Sequence, residues 1–146
     1  MIRVLRSAVV LGWLSLAAVV GCGGDGKLSV YPVSGTVLLN GKPLEGASVC
    51  FYPKDEAVVA AKTPLPQGTT DASGKFQLKT YEENDGAPAG EYGVSIVRME
   101  VVTDSDDPEQ IVERDRLKGK YADVDQAGLT ATVQEDATEV PAFDLK

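Results

Sequence analysis

Hydrophobic and polar residues alternate along most of the chain after residue 30, with the period of a β-strand that turns one face toward a core. In segment 47–52, for example, Val49 and Phe51 alternate with Cys50 and Tyr52. The alternation predicts seven short strands, at 33–39, 47–52, 68–70, 75–80, 90–102, 129–133 and around 143–145.

Turn residues separate the predicted strands. Asn40-Gly41 follows the first strand, and both residues tolerate positive φ, which is the strongest short signal for a hairpin. Segment 71–74 predicts a type I turn in which Asp71 accepts backbone hydrogen bonds. Pro141 predicts that the last strand is an edge strand or contains a bulge, because proline cannot donate to a ladder.

One segment has helix-start signals. Asp107 can cap a helix, Pro108 suits the first helical position and Gln110 can complete a capping box. A short helix is therefore predicted from there to about residue 118, with Ile111 and Leu117 as its core contacts. Seven strands, frequent turns and one minor helix predict an all-β fold, a seven-stranded antiparallel β-sandwich with one short helix in a loop.

Residues 1–21 have the layout of a secretory signal peptide. Arg3 and Arg6 form a basic start, residues 7–20 are apolar apart from two serines, and Gly21 is a small residue at the end. This apolar run is shorter than the roughly 20 residues that span a bilayer. An uncleaved membrane helix and a signal peptide without lipid attachment remain the alternatives.

Val19-Val20-Gly21-Cys22 resembles the lipobox of bacterial lipoproteins. The resemblance implies cleavage before Cys22, a diacylglycerol thioether on its sulfur and usually an additional acyl chain such as palmitate. Two or more acyl chains give stable anchoring, whereas one gives marginal binding. Residues 22–30 are predicted to be the lipidated cysteine and a flexible tether. The expected location is the bacterial cell envelope after export, at the outer membrane or the periplasmic face.

The charge of the chain restricts its partners. The net charge is −8, and removing Arg3 and Arg6 with the leader leaves 12 basic residues against 22 acidic ones, a charge of −10. Nucleic acid is excluded as an expected partner, because binding the phosphate backbone requires a basic face. The chain has no histidine, the commonest general base and metal ligand. We therefore expect no enzymatic activity and no cofactor.

Ordered motifs in the remainder of the chain resemble the carboxypeptidase regulatory-like domain, a transthyretin-like or prealbumin-like β-sandwich. They are Gly35-Thr36-Val37, Asn40-Gly41, Pro43-Leu44, Gly46-Ala47-Ser48-Val49, Phe51, Thr70-Asp71-Ala72-Ser73-Gly74-Lys75-Phe76, Ala89-Gly90-Glu91-Tyr92-Gly93-Val94, Lys120-Tyr121 and Gly128-Leu129-Thr130-Ala131-Thr132-Val133. Together with the leader, they resemble small lipoproteins of this fold in planctomycete bacteria. The resemblance covers residues 31–146 and implies a single domain there.

The resemblance implies a non-enzymatic envelope lipoprotein that binds or supports something at the cell surface. Its expected partners are the membrane through the lipid, and an envelope protein or a polysaccharide. If the ligand is a sugar, Tyr31, Tyr52 and Tyr81 are the candidate aromatic contacts.

An acidic loop at 104–109 supports an alternative function, a calcium- or ligand-binding module. Asp104, Asp106, Asp107 and Glu109 are the weak candidate metal ligands, since carboxylates suit hard cations. An ordinary solvated loop is the other interpretation of this cluster. Cys50 is expected to be a small, partly buried residue without a disulfide partner if Cys22 carries lipid.

Overall fold

The structure is a computed structural model that describes residues 26–146. These residues form an all-β fold with two short helices, neither of which has the length and apolar character needed to cross a membrane. The strands are β1 (Val33–Leu39), β2 (Lys42–Pro43), β3 (Ser48–Pro53), β4 (Gln67–Thr69), β5 (Lys75–Gln77), β6 (Gly90–Val97), β7 (Met99–Thr103), β8 (Ile111–Asp115), β9 (Leu129–Val133), β10 (Thr138–Glu139) and β11 (Phe143–Leu145). The helices are α1 (Glu56–Ala60) and α2 (Val124–Ala127).

β1 is the central strand of the first sheet. On one side it pairs in parallel with β10 and then with β11, and on the other side it pairs antiparallel with β5 and β2. Only residues 140–142 separate β10 from β11, so the two form one interrupted edge strand. Pro141 lies in that interruption, which confirms the expectation drawn from it.

The second sheet has the strand order β4-β3-β6-β9, with all neighbours antiparallel. β6 is buried on both faces along residues 92–96. Its outer face is covered by the segment that carries α2, and the Ile96 N–H donates to the Tyr121 carbonyl oxygen at 2.9 Å. The third sheet is the hairpin of β7 and β8.

Inward side chains of the first two sheets share one hydrophobic core. Phe51 of β3 lies against Phe76 of β5 with ring centroids 6.4 Å apart, and against Tyr92 of β6 at 5.5 Å. Phe76 in turn stacks on Phe143 of β11 at 6.4 Å. The Tyr92 hydroxyl donates to the Pro88 carbonyl oxygen at 2.7 Å, so this buried tyrosine has no unsatisfied polar atom.

Several local predictions are confirmed. Asn40 and Gly41 both have positive φ, 51° and 77°, and they connect β1 to β2 as a hairpin. Val49 and Phe51 are fully buried, whereas Tyr52 is 37 % exposed, as the alternation in this strand predicts. The predicted count of seven strands is not confirmed, because the described residues contain eleven strands in three sheets. The prediction that all strands are antiparallel is wrong for the first sheet, where β1 pairs in parallel with β10 and β11.

The predicted helix after Asp107 is wrong. Asp107 does accept hydrogen bonds, from the backbone N–H two residues on at 3.1 Å and from Gln110 Nε2, but these bonds close a turn. The chain then continues as β8, where β-branched residues pair with β7. Ile111, expected to face the core, is 73 % exposed, whereas Leu117 is buried as expected.

The strand predicted at 90–102 is interrupted at Arg98, which separates β6 from β7. The Arg98 N–H donates to Asp115 Oδ1 at 2.9 Å, and the guanidinium donates to the Glu45 carbonyl oxygen at 2.5 Å. These bonds hold the chain where it leaves the second sheet, and β7 then pairs with β8 alone among the described strands.

Candidate functional site

A groove of about 990 Å³, the polar groove, crosses the outer face of the body. Five strands contribute to it: β10, β1 and β5 from the first sheet, and β4 and β3 from the second. Its amide groups come from Gln67, Gln77 and Asn84. A smaller cavity of about 230 Å³ opens beside it and shares Gln77 and Asn84.

Strand register arranges the groove hydroxyls and amides in a row across the sheets. Ser34 of β1 pairs with Glu139 of β10 on one side and with Gln77 of β5 on the other. Thr69 of β4 pairs with Ser48 of β3. Because β4 and β5 form a hairpin, these two short rows continue into each other. At the usual spacing between strands, five strands give a row about 19 Å long.

The floor of the polar groove is formed by backbone at Gly68. A Cβ atom at this position would lie 2.4 Å from the Gln77 carbonyl oxygen. No other residue therefore fits without moving β4 away from β5. The close approach of the two strands keeps the groove continuous where the first sheet meets the second.

Charged side chains surround the row. Lys79 Nζ lies 2.6 Å from Glu83 Oε1, and both side chains are exposed. Asp71 Oδ1 accepts hydrogen bonds from the Ser73 hydroxyl at 2.7 Å, from the Ser73 N–H at 2.8 Å and from the Lys75 N–H at 3.0 Å. The Ser73 hydroxyl and then the Lys75 N–H lower the pKa of Asp71. The predicted turn, with Asp71 as acceptor, is confirmed.

Chemically, the polar groove presents donors and acceptors over a long surface. Hydroxyl groups both donate and accept, and each carboxamide supplies two donors and one acceptor oxygen. Phe76 also borders the groove, but it is 2 % exposed, so it offers little apolar surface. This set of groups suits an extended ligand that is rich in hydroxyl groups.

The sequence predicts a lipidated cysteine, Cys22, and a candidate metal site in the acidic loop at 104–109. Cys22 lies outside the described residues, and the acidic loop does not line the polar groove. The acidic cluster is the loop between β7 and β8, where Asp104 Oδ1 accepts from the Asp106 N–H at 2.9 Å and lies 3.6 Å from Arg114. Within residues 26–146, no three His, Cys, Asp or Glu side chains are placed to hold a metal ion.

We expect calcium to leave the stability of the protein unchanged. The oxygens of Asp104 and Asp107 already accept hydrogen bonds within their own loop, and a site that bound the ion would stabilise the folded state by mass action. Thermal unfolding in calcium and in a chelator should give the same melting temperature. A rise in calcium that disappears in the Asp104→Asn variant would contradict this expectation.

The three candidate tyrosines do not line the polar groove. Tyr31 is half-buried and its N–H donates to the Ala87 carbonyl oxygen at 2.9 Å. The Tyr81 hydroxyl accepts from the Leu28 N–H at 3.1 Å, and Lys27 Nζ lies 5.3 Å from the centroid of its ring. Two residues of the predicted tether therefore contact Tyr81.

Cys50 faces outward from β3 and is half-buried, in agreement with the prediction of a partly buried residue. Burial raises the pKa of its thiol, and a hydrogen bond with the Tyr52 side chain acts in the opposite direction. The residue directly before it in the same outward row, Ser48, lines the polar groove, but Cys50 does not.

Sequence reasoning missed the residues of the polar groove. Ser34 and Gln77 occupy outward positions of predicted strands, whereas Gln67 lies just before the strand predicted at 68–70. Exposed strand positions often carry charged side chains, whereas these carry amides and hydroxyls. That difference is only a weak indication of a binding surface. The local turn at 71–74 makes β4 and β5 neighbours, but nothing local states that β5 lies beside β1 or that β4 lies beside β3. The groove requires these distant pairings.

Comparisons with known proteins give matches to solved structures only. The chain matches no protein-family model and no curated protein. A 9R-lipoxygenase from Cyanothece PCC8801 has a TM-score of 0.40 and 18 % sequence identity, over 80 % of this chain and 16 % of that one. A Pseudomonas aeruginosa protein provisionally described as carbohydrate-binding has a TM-score of 0.40 and 13 % identity, over 78 % of this chain and 88 % of that one.

Proposed function

We propose that the protein is a non-enzymatic envelope lipoprotein, anchored through Cys22, whose β domain binds an envelope polysaccharide in the polar groove. The polar groove is the observation that carries the binding part of this proposal. A row about 19 Å long, of hydroxyl and amide side chains with the Glu139 carboxylate at one end, offers repeated hydrogen bonds to a chain of sugars. Its mixed charges favour a ligand without a strong charge of its own.

The proposed fold is a seven-stranded β-sandwich of the transthyretin-like, carboxypeptidase regulatory-like type. In this interpretation β10 and β11 are one interrupted strand, the two-residue β2 belongs to its turn, and the hairpin of β7 and β8 is an insertion between β6 and β9. Seven strands then remain in the body. The core shared by the first two sheets supports a sandwich.

The proposal is for a binding module because two carboxylates of the groove are already engaged, Glu83 by Lys79 and Asp71 by its own turn. The whole chain has no histidine to act as a general base. Asp71, the carboxylate at the turn of the groove, already accepts hydrogen bonds from Ser73 and Lys75, and its lowered pKa keeps it ionised.

Anchoring at Cys22 would hold the domain close to the membrane. The first described contacts of the chain with the domain are those of Lys27 and Leu28 with Tyr81. The five residue-to-residue steps from position 22 to position 27 span at most about 18 Å when the chain is fully extended. The tether in this proposal is therefore shorter than residues 22–30, and the polar groove would stay within reach of envelope polymers near the anchoring surface.

Removing two groove amides should weaken polysaccharide binding. In the Gln67→Ala, Gln77→Ala double variant we expect the dissociation constant for polysaccharide from the producing cell's own envelope to rise roughly thirtyfold, because two net hydrogen bonds of about 1 kcal/mol each are lost. Calorimetric titration of the purified protein, with a chelator present, measures the constant.

The matched control is the Gln126→Ala, Gln134→Ala double variant, which changes two exposed glutamines outside the polar groove. It should bind like the unmodified protein. Equal weakening in both double variants, or no binding of envelope polysaccharide by the unmodified protein, would overturn the assignment of the groove.

A further inference from the structure

The hairpin of β7 and β8, residues 99–115, projects from the body as a separate sheet. Its strands pair with each other and with no other described strand. Asp115 fixes its base by accepting hydrogen bonds from the backbone N–H groups of Arg98, Leu117 and Gly119, at 2.9, 3.0 and 2.8 Å. Partial burial would raise the pKa of Asp115, but these bonds outweigh it and the pKa lies below its ordinary value.

One face of this hairpin, which we call the apolar face, carries three exposed hydrophobic side chains. They are Met99, Val101 and Ile111, with exposed fractions of 48 %, 66 % and 73 %. Glu113 lies on the same face opposite Val101, and Asp115 lies opposite Met99. The three hydrophobic side chains make up half of the six large hydrophobic residues that are exposed within residues 26–146. An isolated two-stranded hairpin is only marginally stable in water, so an apolar face left uncovered on one indicates an interaction surface.

Both edges of the hairpin are also open to another strand. Hydrogen bonds close the ladder at its two ends, from the Asp104 N–H to the Gln110 carbonyl and from the Arg116 N–H to the Arg98 carbonyl. In an antiparallel pair the bonded positions alternate, so Val101 and its opposite residue Glu113 direct their backbone groups outward. Such outward groups can pair with an added strand.

The charge of the hairpin selects the occupant. Residues 99–115 contain seven acidic side chains and one basic side chain, a net charge of −6. Asp106 and Glu109 at the tip are exposed, and so is Glu113 on the apolar face. A partner strand that carries Lys or Arg between apolar residues would contact both the hydrophobic and the acidic side chains of the hairpin.

We propose that the hairpin binds an extended segment of another protein in which apolar and basic residues alternate, by adding it as a strand at an open edge. A second copy of this chain would bring another charge of −6 to the same place, which repels. A bilayer would have to accept the acidic tip first, which is costly. Both alternatives are disfavoured by the same charges.

The test uses the full chain in detergent micelles and two short fluorescent peptides, one alternating lysine with valine and one alternating glutamate with valine. Fluorescence anisotropy should show binding of the lysine peptide and little binding of the glutamate peptide. The combined Met99→Ser, Val101→Ser, Ile111→Ser variant should bind the lysine peptide at least about tenfold more weakly, as expected for losing buried apolar surface.

A matched control replaces Val59 and Leu65 with serine, since both are exposed apolar residues away from the hairpin. This variant should bind like the unmodified chain. A third variant, with lysine at Asp106, Glu109 and Glu113, brings the hairpin to zero net charge and should lose the preference between the two peptides. It keeps the three exposed hydrophobic side chains, so it tests the charge argument even if the serine variant loosens the hairpin.

Three results would overturn the proposal. The first is equal or absent binding of the two peptides by the unmodified chain. The second is a dimer in sedimentation that the serine variant abolishes, which would make a second copy the occupant. The third is binding of the Cys22→Ser chain to phosphatidylcholine vesicles through Met99, Val101 and Ile111. None of these results bears on the polar groove, so the two proposals fail independently.

Discussion

Replacing Phe51 with alanine should lower the free energy of unfolding by about 3–5 kcal/mol, the range for truncating a buried aromatic residue. Phe51 is fully buried at the centre of the core and contacts an aromatic ring from each of the first two sheets, Phe76 and Tyr92. Removing its ring would leave a cavity between these sheets. Because small domains are stable by only about 5–15 kcal/mol, the loss is a large fraction of the total stability.

Urea denaturation followed by circular dichroism measures this loss. Tyr52→Ala is the matched control, since it removes a similar ring from the next position of the same strand, where the side chain is 37 % exposed. We expect it to cost about 1 kcal/mol or less, the usual range for surface substitutions. Similar losses in the two variants would mean that the inward and outward faces of β3 are wrongly assigned.

The second large effect concerns the anchor. Changing Cys22 to serine removes the only sulfur that the proposed thioether can use at the end of the leader. Because stable membrane attachment depends on the acyl chains, the variant should move from the membrane fraction almost completely. The chain's charge of −10 after the leader gives no electrostatic attraction to anionic lipid that could replace them.

Fractionation of cells that express each variant measures the effect. Cys50→Ser is the control, because it changes the other cysteine and leaves the proposed attachment point in place. It should remain in the membrane fraction, and mass spectrometry should find acyl chains on the mature N-terminus. Retention of Cys22→Ser in the membrane, or an unmodified thiol at position 22, would end the lipoprotein proposal and with it the expected location.

The success and failure of the strand predictions have one physical cause. In β3, Val49 and Phe51 alternate with outward residues, which is local information, and both side chains are buried as the alternation predicts. After Asp107 the local information was ambiguous, because the same carboxylate can cap a helix or close a turn. The partner decided the outcome: Val102 lies opposite Val112 across the hairpin, and that pairing favours a strand.

Candidate sites were harder to predict than strands. The density of acidic residues at 104–109 suggests a metal site. In the structure, however, the Asp104 carboxylate accepts a hydrogen bond from its own loop, which gives it a partner without a metal ion. The polar groove is not predictable in this way. Gln67 and Gln77 are ordinary exposed residues, and they line a groove only because their strands pair with β3 and β1, which lie far away in the chain. The sequence predicts Ile111 as a helix contact, whereas in the structure it is 73 % exposed and belongs to the apolar face of the β7–β8 hairpin.

The amino-acid sequence by itself determined the all-β character, the Asn40-Gly41 hairpin and the inward face of β3, because each depends on side-chain period or on backbone preferences within a few residues. The tertiary structure alone decided the polar groove, which depends on the pairing of β1 with β5 and β10 and of β3 with β4. These contacts join residues far apart in the chain, on which local preferences are silent. It also decided that the β7–β8 hairpin pairs with no other described strand, because that depends on where the other strands lie.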